Sequence, residues 1–595
     1  MKYRGIFGIT LGLALNLSAA EHHAELQVGV AGHAFDHLGE INDQAEAAAL
    51  SGATVIYSTG FGAVGYAGLP TDADILEIAT KTRAYLTNAH SHGVHLAIGY
   101  VCATSIVKLD TFDKNWSAKF RQQFSSPPKT WLQVGIDGKP LPSWYGGDYL
   151  PACMSNPDWQ LYEKAIVKMQ IEAGHDGIFF DNPTVHPHGC YCEYCMRKFQ
   201  NYLASVGAKV NVPSTALVAS MRKIAAERPQ EFAHFRCTIA RDFLEEIQKF
   251  ARKIKPKALI TCNNSLNTPN VFFSQSRTYG YNIHEMSKVE DLVVVEDGIS
   301  QPRTLADGST VEYGHMYELL QAISHNKPIV AVTIADGDYH TAPNLMRLAM
   351  AEAAAHNASY LSWPTWPEKE RAQMCAAVRP EADLLRTCAP LLNLAPRRSE
   401  LVFYIPIEKW AELSDTEMLN CVSIFENQNI QFVAACEDNI NDYLNKKPRP
   451  VVVALGTKDD SHFQRFRANH GVVLSTKEDR NWIGDMQKAL QNPIAFNGPP
   501  SVRVVVRDQP ERTIVHLLNL NVKRISSFED KVTPVSGISL KLHVPLQEVR
   551  AVQALTADES ATTGKIEFVA TKGKNGSDVS FQLPDLGIST MVVIE

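Results

Sequence analysis

Eight short apolar runs, most of them separated by stretches with helical spacing, constrain this chain more than any other feature. They occupy residues 26–32, 54–60, 95–101, 177–182, 258–264, 291–297, 328–334 and 358–364. A strand buried on both faces reads as a continuous apolar run, and strand–helix alternation builds a parallel sheet with helices packed outside it. Helices are predicted over 41–53 and 72–92, after an Asn156 cap with Pro157 in the first turn, and over 238–254 and 344–356. Eight such units predict an α/β fold, a (β/α)8 TIM barrel. A doubly wound open sheet is the rival that counting leaves open, although no G-x-G-x-x-G loop follows the first run.

The 595 residues exceed what one core usually serves. After a last barrel helix over 368–392, alternation restarts on a smaller scale. Strands are expected at 401–405, 432–435, 450–455 and 472–474, with helices at 415–427 and 461–470. This is the pattern of a flavodoxin-like domain, and with no nucleotide motif in it the expected role is packing or oligomerisation. From residue 501 the character turns to alternating β runs at 502–506, 513–520, 537–544, 580–583 and 591–594, as in a small sandwich. The expected organisation is a signal peptide over 1–20, a barrel over 21–395, the flavodoxin-like domain over 396–498 and a C-terminal β-sandwich over 499–595.

Lys2 and Arg4 precede an apolar run over 6–17 and a small-residue cleavage site at Ser18-Ala19-Ala20, the layout of a secretory leader. The run is shorter than the ~18 residues a spanning helix needs. The expectation is a secreted or periplasmic protein, cleaved near Ala20, with no membrane span. A net charge of −7 argues against nucleic acid as a partner, because phosphate binding needs a basic face. Eleven cysteines cannot all pair. Cys102, Cys237, Cys262, Cys375, Cys388, Cys421 and Cys436 lie singly in apolar segments and are expected to be buried thiols acting as small hydrophobes.

Barrel enzymes gather their chemistry at the carboxyl ends of the strands. Those ends carry Asp181 and Asn182, Asn263 and Asn264, Glu296 and Asp297, then Asp336, Asp338, Tyr339 and His340, with Trp363 and Trp366 last. Carboxylates and amides to bind hydroxyls, with aromatic faces to stack on C–H groups, point to a sugar. His33 and Asp36 at the first strand and Tyr100 at the third are further binding candidates. Glycoside hydrolysis needs two carboxyl groups. Asp181 is the candidate nucleophile or base and Glu296 the candidate acid, with Asp297 and Asp336 behind it; the alternative is that these acids bind hydroxyls or cap helices. An aromatic-rich irregular stretch of about fifty residues after the third strand carries Trp116, Trp131, Trp144, Tyr145 and Tyr149, and a loop of that length is expected to be functional.

Between Asp181 and the next helix lie His186, His188 and a C-x-C-x-x-C cluster of Cys190, Cys192 and Cys195, with Cys153 available from the preceding loop. Four thiolates would close the shell of a structural Zn2+ and leave no place for a water. A disulfide, for instance Cys192 with Cys195, is the competing reading. The two histidines are candidates for substrate contact or metal ligation.

The Cys153, Cys190, Cys192, Cys195 arrangement resembles the four-cysteine zinc site of glycoside hydrolase family 42 β-galactosidases. Their order of barrel, flavodoxin-like trimerisation domain and small β domain is also similar over the mature length. The motif DGIFFDNP…CYCEYC resembles the "hypothetical glycosyl hydrolase" barrels related to that family. The resemblance implies a barrel, a structural zinc and a homo-oligomer, dimer or trimer. It departs at the fourth strand, where that family carries an Asn-Glu acid/base pair and this chain ends in Asp181-Asn182. Aspartate in that place resembles the nucleophile of family 29 α-L-fucosidases and related α-galactosidases. The expectation is a secreted glycoside hydrolase using two carboxylates on an oligo- or polysaccharide, with an α-L-fucoside or galactoside favoured. The rivals are a non-catalytic glycan-binding barrel and a metal-dependent hydrolase such as a deacetylase, which would need an open metal site.

Overall fold

The computed structural model describes residues 33–36, 42–143, 146–208, 210–363, 366–392, 395–458, 461–490, 494–573 and 575–595. The expected leader and the apolar run over 26–32 lie outside them. Eight parallel strands close into a barrel: β1 (His33–Asp36), β2 (Val55–Ser58), β3 (Leu96–Cys102), β4 (Gly177–Asp181), β5 (Leu259–Leu266), β6 (Val293–Asp297), β7 (Ile329–Thr333) and β8 (Ser359–Ser362). Closure is made where His33 of β1 pairs with Leu361 of β8. The first strand therefore stands just beyond the run expected to form it, and the other seven fall on theirs.

Side chains alternate along each strand, and that alternation decides what fills the barrel. Val55, Tyr57, Leu96, Ile98, Phe179, Leu292, Val294, Val330, Val332 and Leu361 form one interior cluster. Their sequence neighbours, such as Ile178, Phe180, Ile260 and Cys262, face outward against the helices. The helix Pro157–Glu172 starts as expected: the Asn156 side chain accepts from the Asp158 backbone N–H at 2.9 Å and from that of Trp159 at 3.4 Å.

A parallel sheet follows, of β9 (Leu401–Tyr404), β10 (Phe432–Ala435), β11 (Val451–Ala454) and β12 (Val473–Ser475) in the order β10-β9-β11-β12, which is flavodoxin-like. The C-terminal region is a sandwich. One sheet holds Val502–Asp508, Thr513–Asn519 and Ser589–Ile594, the other Val535–Val544 and Ser577–Leu586, with an aliphatic core between them. Among the described residues no helix is long and apolar enough to cross a membrane.

Both appended domains reach back to barrel helices that lack a side-chain cap of their own. The helix Phe272–Tyr279 begins at Val271, and the backbone N–H groups of Phe272, Phe273 and Ser274 donate to the Asp415 carboxylate at 2.8–3.0 Å. The helix Pro343–Ala355 begins at Ala342, and the N–H groups of Asn344 and Leu345 donate to Asp530 at 2.9 and 3.1 Å. An anion at these helix starts satisfies orphan donors and meets the positive end of the helix dipole. The sandwich also sends Val522–Arg524 and Asp530–Val532 into a small mixed sheet with Arg303–Thr304 and Thr310–Val311 of the β6 loop.

Two tryptophans of the aromatic-rich stretch after β3 are packing: Trp116 and Trp131 are buried and pack with Phe112, Phe124, Tyr162 and Trp159 around the outside of the barrel. Tyr149 of the same stretch is exposed and lies 6.2 Å from the Tyr66 ring. Trp144 and Tyr145 lie outside the described residues.

Asp415→Ala should lower the melting temperature by an amount equivalent to about 0.5–2 kcal/mol, the usual worth of a helix cap. Glu412→Ala, which removes an exposed acid three residues away, should leave it unchanged; differential scanning calorimetry distinguishes the two.

Candidate active site

The barrel mouth tapers into a pocket of about 80 Å³ lined by Tyr100, Phe179, Asp181, Asn263, Val294, Glu296, Val332, Tyr339, Leu361 and Trp363. Asp181 ends β4 with its side chain inward, the same side as Phe179; Asn263 of β5 and Glu296 of β6 share that orientation. The three polar groups are joined directly. Asn263 Nδ2 donates to Asp181 Oδ1 at 3.0 Å and to Glu296 Oε2 at 2.6 Å. On its other oxygen Asp181 accepts from Tyr100 Oη at 2.8 Å and from Asn182 Nδ2 at 2.7 Å. Tyr339 Oη donates to Glu296 Oε1. Trp363 lies against Tyr339 with ring centroids 4.3 Å apart and forms one wall.

Burial, and then the charge of Asp181, push the Glu296 carboxyl above its usual range, against the hydrogen bonds from Tyr339 and Asn263. Burial and the same carboxylate push the Tyr100 phenol far upward, so it stays a donor. One carboxyl inclined to hold a proton thus faces one carboxylate surrounded by three donors. That is the division of labour acid–base chemistry needs.

The other expected residues are spread over different places. Asn182 leaves the strand with φ 53° and folds back onto Asp181, so it supports the acid from outside the pocket lining. Asp297 follows Glu296 and therefore points away from the mouth; it is fully buried and accepts from Thr268 Oγ1 at 2.6 Å. Asn264 is outward for the same reason and donates to Glu290 at 3.1 Å. Trp366 belongs to the core, 1% exposed, with its indole N–H donating to the Thr341 carbonyl at 2.9 Å. These corrections to the sugar-binding reading have two causes: neighbouring residues of a strand cannot both face the pocket, which turns Asp297 away, and the buried, already paired indole of Trp366 has no face to offer.

Asp336 and His340 stand on the rim. Asp336 accepts from Arg303 Nη2 at 3.2 Å. His340 Nδ1 is 2.9 Å from Asp338 Oδ1, and its ring meets Phe528 of the sandwich at 5.1 Å. Asp338 also pairs with Arg524 and accepts from Ser527 Oγ at 2.6 Å. Burial works against its charge, but these donors bring its carboxyl down to about 2. The described residues of the first strand end include the His33 backbone but not its side chain. Sequence reasoning missed the apolar floor of Phe179, Val294, Val332 and Leu361, which strand parity signals. It also missed the rim residues Arg524 and Phe528, for which a residue two hundred positions away carries no local signal.

Cys153, Cys190, Cys192 and Cys195 come together as a group that could hold a metal ion, apart from the mouth. Cys153 Sγ lies 3.5 Å from Cys192, 3.6 Å from Cys195 and 3.7 Å from Cys190. These spacings are far beyond a disulfide bond, at about 2.05 Å, and match the ~3.8 Å edge of a tetrahedron with ~2.3 Å metal–sulfur bonds. His186 is outside the group: its ring accepts from the His188 N–H at 3.1 Å, and its own backbone N–H donates to Gln133.

No protein-family model matches the sequence, and no curated protein sequence matches it. Solved structures do. The α-L-fucosidase isoenzyme 2 from Paenibacillus thiaminolyticus superposes with a TM-score of 0.62 at 13% identity, covering 95% of this chain and 99% of that one. The likeness is one of fold. A GH42 β-galactosidase from G. stearothermophilus gives a TM-score of 0.58 at 11% identity over 94% and 99% of the two chains. An exo-carrageenase GH42 from Bacteroides ovatus gives 0.57 at 10% identity over 95% and 82%. The likeness of fold thus extends over nearly all of this chain at low identity.

Asn263→Ala would leave the two carboxyls facing each other without the shared donor, raising the Glu296 pKa further. A raised native pKa favours the fold at low pH, and that advantage is lost as pH rises through it. The melting-temperature gap between variant and wild type should therefore widen from pH 5 to pH 8; a constant gap would show that the amide does not hold the pair.

Proposed function

We propose that the protein is a glycoside hydrolase that works with retention of anomeric configuration, with Asp181 as nucleophile and Glu296 as acid/base. The observation that carries this is the single amide between them. An oxygen of each carboxyl lies within hydrogen-bond reach of Asn263 Nδ2, so the two oxygens can be no farther apart than 3.0 Å and 2.6 Å laid end to end. Facing oxygens held that close suit the about 5–5.5 Å between carboxyl groups of a retaining pair better than the about 6.5–9.5 Å of an inverting one. Asp181 attacks the anomeric carbon while the glycosidic C–O bond breaks and Glu296 gives its proton to the leaving oxygen. Glu296, now a carboxylate, takes a proton from water, which attacks the same carbon and releases Asp181. Tyr100, Asn182 and Asn263 donate to Asp181 and hold it aimed. A catalytically silent barrel has no need of such a pair.

The substrate we favour is an α-L-fucoside. The solved structure with a TM-score of 0.62 is a fucosidase. The floor of Phe179, Val294, Val332 and Leu361 provides an apolar surface for the methyl group of a 6-deoxy sugar, where a galactoside would bring a hydroxyl needing a partner. The four-thiol group holds a structural Zn2+ on this reading. Sulfur donors at tetrahedral spacing fit that ion, and a closed shell leaves no coordination site for substrate, which speaks against a metal-dependent deacetylase.

On p-nitrophenyl α-L-fucoside, nuclear magnetic resonance should show the α-anomer formed first, and Asp181→Asn should show no turnover. First appearance of the β-anomer, or an active Asp181 variant, would remove the mechanism. Glu296→Gln should lower kcat/KM for natural substrates by about 10²–10⁴-fold and that for p-nitrophenyl substrates much less, since p-nitrophenolate leaves without a proton, while kcat on p-nitrophenyl substrates falls because the second step has lost its base. Activity should fall as pH rises through the Glu296 pKa. Tyr339→Phe removes a hydrogen bond that favours the ionised form, so its alkaline limb should move to higher pH. Cys192→Ser should lose one zinc per chain by elemental analysis and melt at lower temperature.

A further inference from the structure

One of the scattered cysteines has unusual company. Cys436 follows β10 and is fully buried where the α/β domain meets the barrel. His284 stands beside it in the short helix Ile283–Met286, which leads toward β6, and His325 follows the helix Gly314–Ile323, which leads into β7. Asp438 lies two residues beyond Cys436. Ligand atoms of His284, Cys436 and Asp438 lie within 4.8 Å of one another. His284 Nε2 is 2.8 Å from Asp438 Oδ2, and His325 Nδ1 is 3.4 Å from the same oxygen.

The proton positions make this arrangement informative. His325 Nε2 is 3.0 Å from the His284 carbonyl, which can only accept, so Nε2 carries the hydrogen. The other ring nitrogen, Nδ1, faces the Asp438 carboxylate, so two imidazoles edge the same oxygen. A ring nitrogen donating to a backbone carbonyl while the other faces inward is the habit of metal-ligating histidine.

We propose that this cluster is a second metal site, for a divalent transition-metal ion of the zinc class, ligated by His284 Nε2, the Asp438 carboxylate and the Cys436 thiolate, with His325 Nδ1, which stands beside Asp438 but outside that close group, drawn in as the fourth ligand. Two imidazoles, one thiolate and one carboxylate suit zinc rather than magnesium or calcium. Binding releases the Cys436 proton to solvent and gives up the thiol contact with the Ala322 carbonyl, at 3.0 Å. The Asp438 side chain is 50% exposed, which leaves it room to swing outward and the ion a way in. Two ligands come from the barrel and two from the α/β domain, so the ion ties the domains together. It does so at the N-terminal ends of β6 and β7, away from the mouth.

The full-length protein is stripped with a chelator and titrated with Zn2+ against a chromophoric competitor. Wild type should take up two equivalents, and the His284→Ala/Asp438→Asn double variant one. Zn2+ should raise the melting temperature of Cys192→Ser, whose four-thiol group is broken, and should raise that of the double variant less than that of wild type. Should Cys192→Ser fail to fold, Co2+ serves instead: wild type should show an added one-thiolate absorption that the double variant lacks. A single equivalent in wild type, two in the double variant, or identical Co2+ spectra would overturn the proposal.

Discussion

Two carboxyl groups on strands one apart, both turned into a low-dielectric barrel, repel each other unless a donor stands between them. Everything at the mouth follows from how that repulsion is handled. Asp181 of β4 and Glu296 of β6 flank β5, and the register that pairs Phe180 with Cys262 brings Asn263 up between them. A single amide N–H2 can serve both because each hydrogen has its own acceptor. Tyr100 and Asn182 then finish Asp181, whereas among the described residues Glu296 accepts from Tyr339 besides the shared amide, and burial with the neighbouring Asp181 charge raises its proton affinity. Acid and nucleophile are distinguished by their neighbours rather than by residue type.

The appended domains bear on this site through the frame of the barrel. Helices Phe272–Tyr279 and Pro343–Ala355 follow β5 and β7, so their N-termini sit at the mouth end, and each is capped by an aspartate from another domain. The sandwich goes further and lays Arg524, Ser527 and Phe528 on the rim beside Asp338 and His340. Loops between strands and helices of a barrel are ordinarily its most mobile parts. Here two of them are tied down by charge-assisted hydrogen bonds from outside, which is a physical reason for the three domains to travel as one chain.

Strand identity and strand ends were legible in the sequence because continuous apolar runs, glycine stops and the Asn156 cap are local signals. Seven of the eight barrel strands and the inward Asp181, Asn263 and Glu296 could be read from them. The inclusion of Asp297 as a sugar ligand came from treating a strand end as a region rather than as an alternating ladder; parity alone places Asp297 on the face opposite Glu296, whereas Trp366, beyond the strand, is buried by packing that no local pattern reveals. The aromatic loop misled for a related reason. Trp116 and Trp131 lie among glycines and prolines, as binding residues do, but their burial partner, Tyr162, is on a helix whose position no local pattern reveals. The rim contacts of Arg524 and Phe528 are invisible in sequence for want of any short-range signature.

The loop from Asp181 to the thiol group shows why a reactive acid and a metal-type cluster can lie within fifteen residues without sharing chemistry. Gln133 donates to the Ala152 and Thr184 carbonyls and accepts from the His186 N–H, while the buried Arg236 guanidinium donates to the carbonyls of Val185 and His186. These two side chains satisfy the backbone in the middle of the loop, where no regular structure would. The thiols fix its far end, and Tyr100 and Asn263 fix its start. Strain introduced at the cysteines must pass through a hydrogen-bonded segment before it reaches Asp181, so the cluster acts on the fold of the loop and only through it on the geometry of the acid.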